Sequence, residues 1–235
     1  MSKRCTPLEY ALVETDAPLV GVVVLASDES LEDELRHRLT PTTRVLHTRI
    51  ASDTTVNADT LAAMEAALPA ALGLLPDSSP MTVIAYGCTS GTTVIGEAKV
   101  EALVKARFPT ATVTNPLTAL KAQLTQLKVK RLALLTPYEP CVSQSLHDHL
   151  SEHSFDIVSF GTFNEPLEAN VCRISEVSLK DAIKALCEQA PCDAVFASCT
   201  NLRTVSWLDD YAAELGIPLI SSNSALSWHI NELTA

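Results

Sequence analysis

The chain has 235 residues, of which 47% are hydrophobic and 5% aromatic, and its formal net charge is −11. That length suits one large domain or two small lobes, and the aliphatic content is enough to bury a substantial core. The acidic balance excludes nucleic acid as the default partner, because phosphate binding calls for clustered Lys and Arg, whereas a small anion is still held by backbone N–H groups in a pocket.

Residues 19–26 (LVGVVVLA) read as a buried strand by length and Val content. An amphipathic helix is expected over 30–39 (SLEDELRHRL), a strand over 43–50, and an Ala/Leu-rich helix over 59–75 that Pro69 kinks or ends. A third buried strand follows at 81–86 (MTVIAY), then a helix at 92–108 and a short strand at 110–113. The rhythm then repeats. Helices are expected at 118–127, 140–149, 178–189 (with Ser178 as N-cap), 205–215 and 225–232. Strands are expected at 131–136 (RLALLT), 155–160, 194–197 (AVFA) and 217–220 (IPLI). Such alternation predicts an α/β chain with parallel sheets covered on both faces. No dinucleotide or phosphate-loop glycine motif follows the first strand, so no nucleotide cofactor is expected.

Seven Cys without a C-x-x-C pair fit free thiols in a reducing compartment. Cys187 and Cys192 (CEQAPC) read as an ordinary pair at a helix end. No segment approaches the ~20 apolar residues of a membrane span, so a soluble cytoplasmic protein with no membrane partner is expected.

The chain also repeats its own organisation. MTVIAYGCTSGT at 81–92 and CDAVFASCTNLRT at 192–204 each carry a buried strand, a small residue, then Cys-Thr-(Ser/Asn). Cys88 and Cys199 stand 111 residues apart. Two matched strand–Cys–helix units predict two lobes related by a pseudo-two-fold axis, with 1–113 (completed by 216–235) as the first and 114–215 as the second.

Ligands of open parallel sheets bind beyond the carboxyl ends of the strands, where both cysteines fall. Each Cys is also expected to open a helix, so that free N–H groups and the helix dipole favour a bound carboxylate and lower the thiol pKa. Thr89, Ser90, Thr200 and Asn201 add side-chain donors. Two thiols facing each other across a substrate suit α-proton exchange, addition to and release from a C=C bond, or protonation of an enediolate left by decarboxylation. None of these needs a metal or organic cofactor. Cys5, Cys141, Cys172, Cys187 and Cys192 lack that context and read as structural.

The Cys blocks YGCTSGTTVIGE and FASCTNLRT, with PLISSNSALSWH after them, carry a resemblance that runs from about Val20 to His229. The chain resembles the Asp/Glu racemase superfamily, in its branch of maleate cis–trans isomerases and arylmalonate decarboxylases, and looks most like the ectoine-utilisation A-type proteins. The resemblance implies two Rossmann-like, flavodoxin-like lobes with the active site in the cleft between them, and Cys88 and Cys199 as its catalytic pair. It implies Tyr138 (LLTPYEP) and Asn170 (EPLEANVCRIS) as substrate contacts, and a homodimer or larger homo-oligomer. The first loop, Ala26-Ser27-Asp28-Glu29-Ser30, departs from the Ser-Asn-Thr type loop of maleate isomerases. Asp28 there would repel a dicarboxylate. It suits a substrate with an amino or other cationic group, or simply caps a helix. The polar run Ser90-Gly91-Thr92 is a second departure.

His147, His149 and His153 lie on what reads as a solvated helix, with no third metal ligand evident. The expected function is a cofactor-independent isomerase or racemase of a small carboxylate in ectoine or hydroxyectoine breakdown. The alternatives are an arylmalonate-type decarboxylase and a non-catalytic small-carboxylate-binding protein.

Overall fold

The computed structural model describes residues 5–13 and 16–235. Strands β1 (Leu19–Leu25), β2 (Arg44–Ile50), β3 (Val83–Gly87) and β4 (Thr112–Thr114) form one sheet in the order β2-β1-β3-β4. Strands β5 (Arg131–Thr136), β6 (Asp156–Thr162), β7 (Ala194–Ala197) and β8 (Leu219–Ser221) form a second in the order β6-β5-β7-β8. Every pairing is parallel, and the two orders are the same pattern, so the sequence repeat is a repeat of topology. β1 is buried along its whole length, which is why it is an unbroken apolar run. The outer strand β2 (RVLHTRI) carries its charges on an exposed edge.

The helices are α1 (Leu31–Arg38), α2 (Ala58–Leu72), α3 (Thr89–Ile95), α4 (Glu97–Arg107), α5 (Pro116–Gln126), α6 (Pro140–Glu152), α7 (Glu168–Val171), α8 (Glu176–Gln189), α9 (Leu208–Leu215) and α10 (Ser222–Thr234). Asn57 and Thr60 close a capping box on α2, and Asn115 caps α5 with Pro116 in its first turn.

Several expectations are corrected. The helix expected over 92–108 is two, because Gly96 adopts φ +90° between α3 and α4. α2 runs past Pro69 to Leu72. Ser175, not Ser178, caps α8, its hydroxyl accepting from the Ser178 N–H at 3.1 Å. No helix opens at Cys199. Thr200 and Asn201 form a turn there, and α9 starts at Leu208.

The 216–235 segment, expected to complete the first lobe, is shared between the sheets. Its strand β8 pairs with β7 in the second sheet, while α10 packs on α5 and α1. The two helices carry a continuous core between the sheets. Val20, Val22 and Val24 of β1 join Leu132 and Leu134 of β5 through Leu117, Leu120 and Leu124 of α5 and Leu226 and Ile230 of α10. Each such side chain contributes roughly 1.5–3 kcal/mol on burial. Among the described residues no helix is long and apolar enough to cross a membrane.

Candidate functional site

Chain order reverses between β1 and β3 in the first sheet and between β5 and β7 in the second. In open parallel sheets such a reversal is the place where ligands bind, beyond the carboxyl ends of the strands. Asp28 follows β1, Cys88 follows β3, Tyr138 follows β5 and Cys199 follows β7, and all four are buried. They act on one another electrostatically. Asp28 and Glu168 both raise the two thiols, and both thiols raise Tyr138.

Cys88 is the N-cap of α3, with extended backbone. Its Sγ accepts the Gly91 N–H at 3.1 Å and lies 3.7 Å from Ser90 Oγ. Gly91 is required by this contact, since a Cβ there would sit 2.9 Å from Cys88 Sγ and 2.7 Å from Tyr86 Oη. Cys199 receives the equivalent bond from the Asn201 N–H at 3.4 Å, but in a turn whose backbone is strained, with φ +139° at Cys199. That turn is tied to the Cys88 side. The Cys199 N–H donates to Ser222 Oγ at 2.9 Å, Ser222 shares a 2.7 Å hydrogen bond with Thr89, and the Thr200 hydroxyl donates to the Gly87 carbonyl at 3.3 Å. The Tyr138 hydroxyl adjoins Ser198 and Cys199.

Asp28 Oδ1 accepts from the Ser30 and Leu31 N–H groups at 2.8 Å and so caps α1. Its other oxygen, Oδ2, is buried without a hydrogen-bond partner. The Asn201 side chain is held by the protein itself. It accepts the Glu29 N–H at 2.9 Å and donates to the Glu168 carbonyl at 3.1 Å and to Glu168 Oε2 at 2.7 Å. Ser27 is half-buried and bonded to Ser52, to one side of the cluster. Asn170 is exposed.

The α7 residue that turns inward is Glu168, which sequence reasoning missed. A single Glu in a four-residue helix gives no periodicity from which burial is read. Ser222 was likewise missed, and its signal was the run of small polar residues directly after a buried strand.

Burial pushes the Cys88 thiol up to about 12, against the hydrogen bonds from Gly91 and Ser90. Burial also raises Cys199, with Glu168 and Asp28 adding to it. The expectation of thiols made acidic by helix ends is therefore overturned. Excluding water from a thiolate costs more than an N–H bond returns, and no helix begins at Cys199. Burial raises Glu168 to about 7, with Asp28 adding and Asn201 opposing. Asp28 is raised as well, chiefly by burial.

The α6 histidines are less solvated than expected, since His147 and His149 are half-buried. A third group does approach: His149 Nε2 lies 3.3 Å from Glu97 Oε2, and Glu97, His149 and His153 have ligand atoms within 4.8 Å of one another. The Glu97 carboxylate is already engaged by Lys121 and Thr118. The Lys121 ammonium fills the position of a cation, and the group is a half-buried ion-pair cluster.

The arylmalonate decarboxylase family model matches residues 90–235. Arylmalonate decarboxylase of Bordetella bronchiseptica is 29% identical over 116 residues, a stretch covering 49% of this chain and 48% of that protein, so the match spans about half the length of that relative. Among solved structures, a cysteine-to-serine variant of Nocardia farcinica maleate cis–trans isomerase with a covalently bound succinylcysteine intermediate superposes with a TM-score of 0.83 at 25% identity, over 92% of each chain. Maleate isomerase of Pseudomonas putida S16 gives 0.81 at 18% identity over 91% of each chain, and an unliganded arylmalonate decarboxylase 0.73 at 22% over 93%. The last two speak to the fold alone. The family match spans the second Cys block, α10 and all of the second sheet, and the chain belongs to the arylmalonate decarboxylase family.

Proposed function

We propose that this chain is a cofactor-independent, cysteine-based enzyme acting on a small carboxylate, and specifically an isomerase or racemase in which Cys88 and Cys199 work from opposite faces of the substrate. The observation that carries this reading is the matched pair of buried thiols. They occupy equivalent strand ends in two like sheets, and each sulfur receives a backbone N–H.

A thiol raised by burial is a strong base once ionised, which suits a weakly acidic C–H bond. Glu168, raised to about 7 by burial, is a carboxyl of the same cluster, and the reaction begins with Cys88 as thiolate and Cys199 as thiol. The Cys88 thiolate then removes the α-proton, and the Cys199 thiol delivers its own proton to the other face. Charge that builds on the substrate carboxylate meets the Tyr138 hydroxyl, a buried donor beside both sulfurs. Addition of one thiolate to a C=C bond, rotation and release use the same two groups. The finer assignment to ectoine or hydroxyectoine breakdown rests on the resemblance of the Cys blocks and the SSNSALSWH segment.

The family match supports a second reading, decarboxylation with one thiol protonating the resulting enediolate. A second thiol with its own N–H donor favours the first. Turnover of maleate, aspartate and arylmalonates in deuterated water tests both. Racemisation places deuterium at the α-carbon, whereas decarboxylation releases CO2. Cys88→Ser and Cys199→Ser are each expected to lower kcat/KM by roughly 10²–10⁴, the usual share of a positioned acid or base. Undiminished turnover in both variants overturns the two-thiol mechanism.

A further inference from the structure

We infer that the ligand of this site carries a cationic nitrogen together with its carboxylate, and that Asp28 and Glu168 are the groups that receive it. The inference rests on the small-carboxylate reading above and narrows its substrate class.

Three observations point the same way. Asp28 is only 3% exposed, and although its Oδ1 is used up in capping α1, its Oδ2 has no hydrogen-bond partner. The Thr200 hydroxyl, which reaches the Gly87 carbonyl at 3.3 Å, also bears on Asp28 and lowers its pKa, but burial, the larger effect, raises it. A buried carboxylate oxygen left without a partner is costly, and the cost is removed by a donor arriving with the ligand. Glu168 is a second buried carboxyl in the same cluster, 5% exposed, with Oε2 bonded to Asn201.

The third observation is the charge around the site. Among the described residues, the charged groups that act most strongly on the two thiols are Glu168 and Asp28, both carboxyls. Arg49, the cation that bears on Asp28, spends its guanidinium on the Asp28, Leu25 and Ala26 carbonyls and on Glu32 at 2.6 Å. A dicarboxylate entering here would bring two negative charges toward two carboxyls. An ammonium carboxylate brings one charge of each sign, with its cation for the carboxyls and its carboxylate for the hydroxyl and N–H donors around the cysteines.

The test is binding, measured by calorimetry at pH 8 on the full chain, with ligands paired by length: β-alanine against malonate, and 4-aminobutanoate against succinate. The zwitterion of at least one pair is expected to bind ~10-fold or more tighter than its dicarboxylate, which corresponds to about 1.4 kcal/mol. In Asp28→Asn, the amide oxygen keeps the α1 cap while the second oxygen and the charge are lost. That variant is expected to bring the two members of the pair within about threefold of each other, or to invert them. Circular dichroism and the melting temperature confirm that the variant is folded.

Dicarboxylates bound as tightly as zwitterions by the wild type overturn the inference and leave the small-carboxylate reading standing. So does a preference that survives Asp28→Asn. Failure of all four ligands to bind at tens of millimolar overturns the small-carboxylate reading itself, and this inference with it.

Discussion

Glu168 is the residue at which physical chemistry says most beyond the sequence. Its carboxyl, ordinarily near 4.5, is raised to about 7 by burial and by Asp28. The folded state therefore holds this proton more tightly than the unfolded chain does. The stability contributed is fully present below about pH 4 and is lost as pH rises through about 7, amounting to something on the order of 3 kcal/mol. Glu168→Gln keeps an acceptor for Asn201 and removes the titration. Denaturant unfolding at pH 5 and pH 8 is expected to find the variant similar to wild type at the lower pH and more stable at the higher. Equal differences at both pH values would show that Glu168 ionises freely in the fold. Burial of a lone Glu is invisible in sequence because it depends on what α7 meets in space. Asn170, two positions on, matched a family motif yet is exposed. Cys88 was legible, since a strand, a small residue and a Cys-Thr pair specify a strand end. Its raised pKa was not, because the degree of water exclusion is set by both lobes.

At the scale of elements, the strands were the readable part. β5 and β7 fall on the expected limits, because an unbroken aliphatic run of that length between polar flanks has few other places to go. Breaks were harder. Gly96 divides α3 from α4 through a positive φ, yet an isolated Gly in a helical pattern is usually tolerated. The segment after Cys199 looked like its counterpart after Cys88 but forms a turn, and what shapes that turn comes from elsewhere in the chain. The first turn of α10 supplies Ser222 to the Cys199 N–H and Asn223 to the Thr200 and Leu202 carbonyls. Ser222→Ala leaves a buried N–H without its acceptor, at a cost of roughly 1–3 kcal/mol. It is expected to lower kcat about tenfold with little change in KM, since it frees the strained turn that aims Cys199 rather than a ligand contact. Ser222→Thr, which keeps the hydroxyl, is expected to restore most of the rate. Rescue absent in a folded Thr variant would assign the loss to packing.

At the scale of the molecule, two lobes of like topology are joined by hydrogen bonds and by shared apolar core. On one side Glu34 of α1 accepts from the Thr204 and Val205 N–H groups at 2.8 Å, from the Thr204 hydroxyl at 2.7 Å and from Asn223 at 3.2 Å. On the other, Thr55 bridges Leu167, and the Val56 N–H donates to the Pro166 carbonyl at 3.0 Å. Between them α5 and α10 share apolar core with both sheets. The sequence repeat announced the two lobes, but these cross-links join residues from about 110 to 189 positions apart, a separation no local pattern encodes. Independent lobes would unfold at different denaturant concentrations, whereas lobes joined through one core would unfold together. The two Trp residues allow this to be measured, because Trp207 precedes α9 beside the second sheet and Trp228 lies on α10. In Trp228→Phe and Trp207→Phe the remaining fluorescence transition is expected to coincide with the far-ultraviolet dichroism transition. Glu34→Ala is expected to shift both reporters together by at least about 3 kcal/mol, since it strips several buried donors of their acceptor at once. A Trp207 transition that moves while the Trp228 transition stays would show that the lobes fold separately. The site between them would then be held by ligand rather than by the protein.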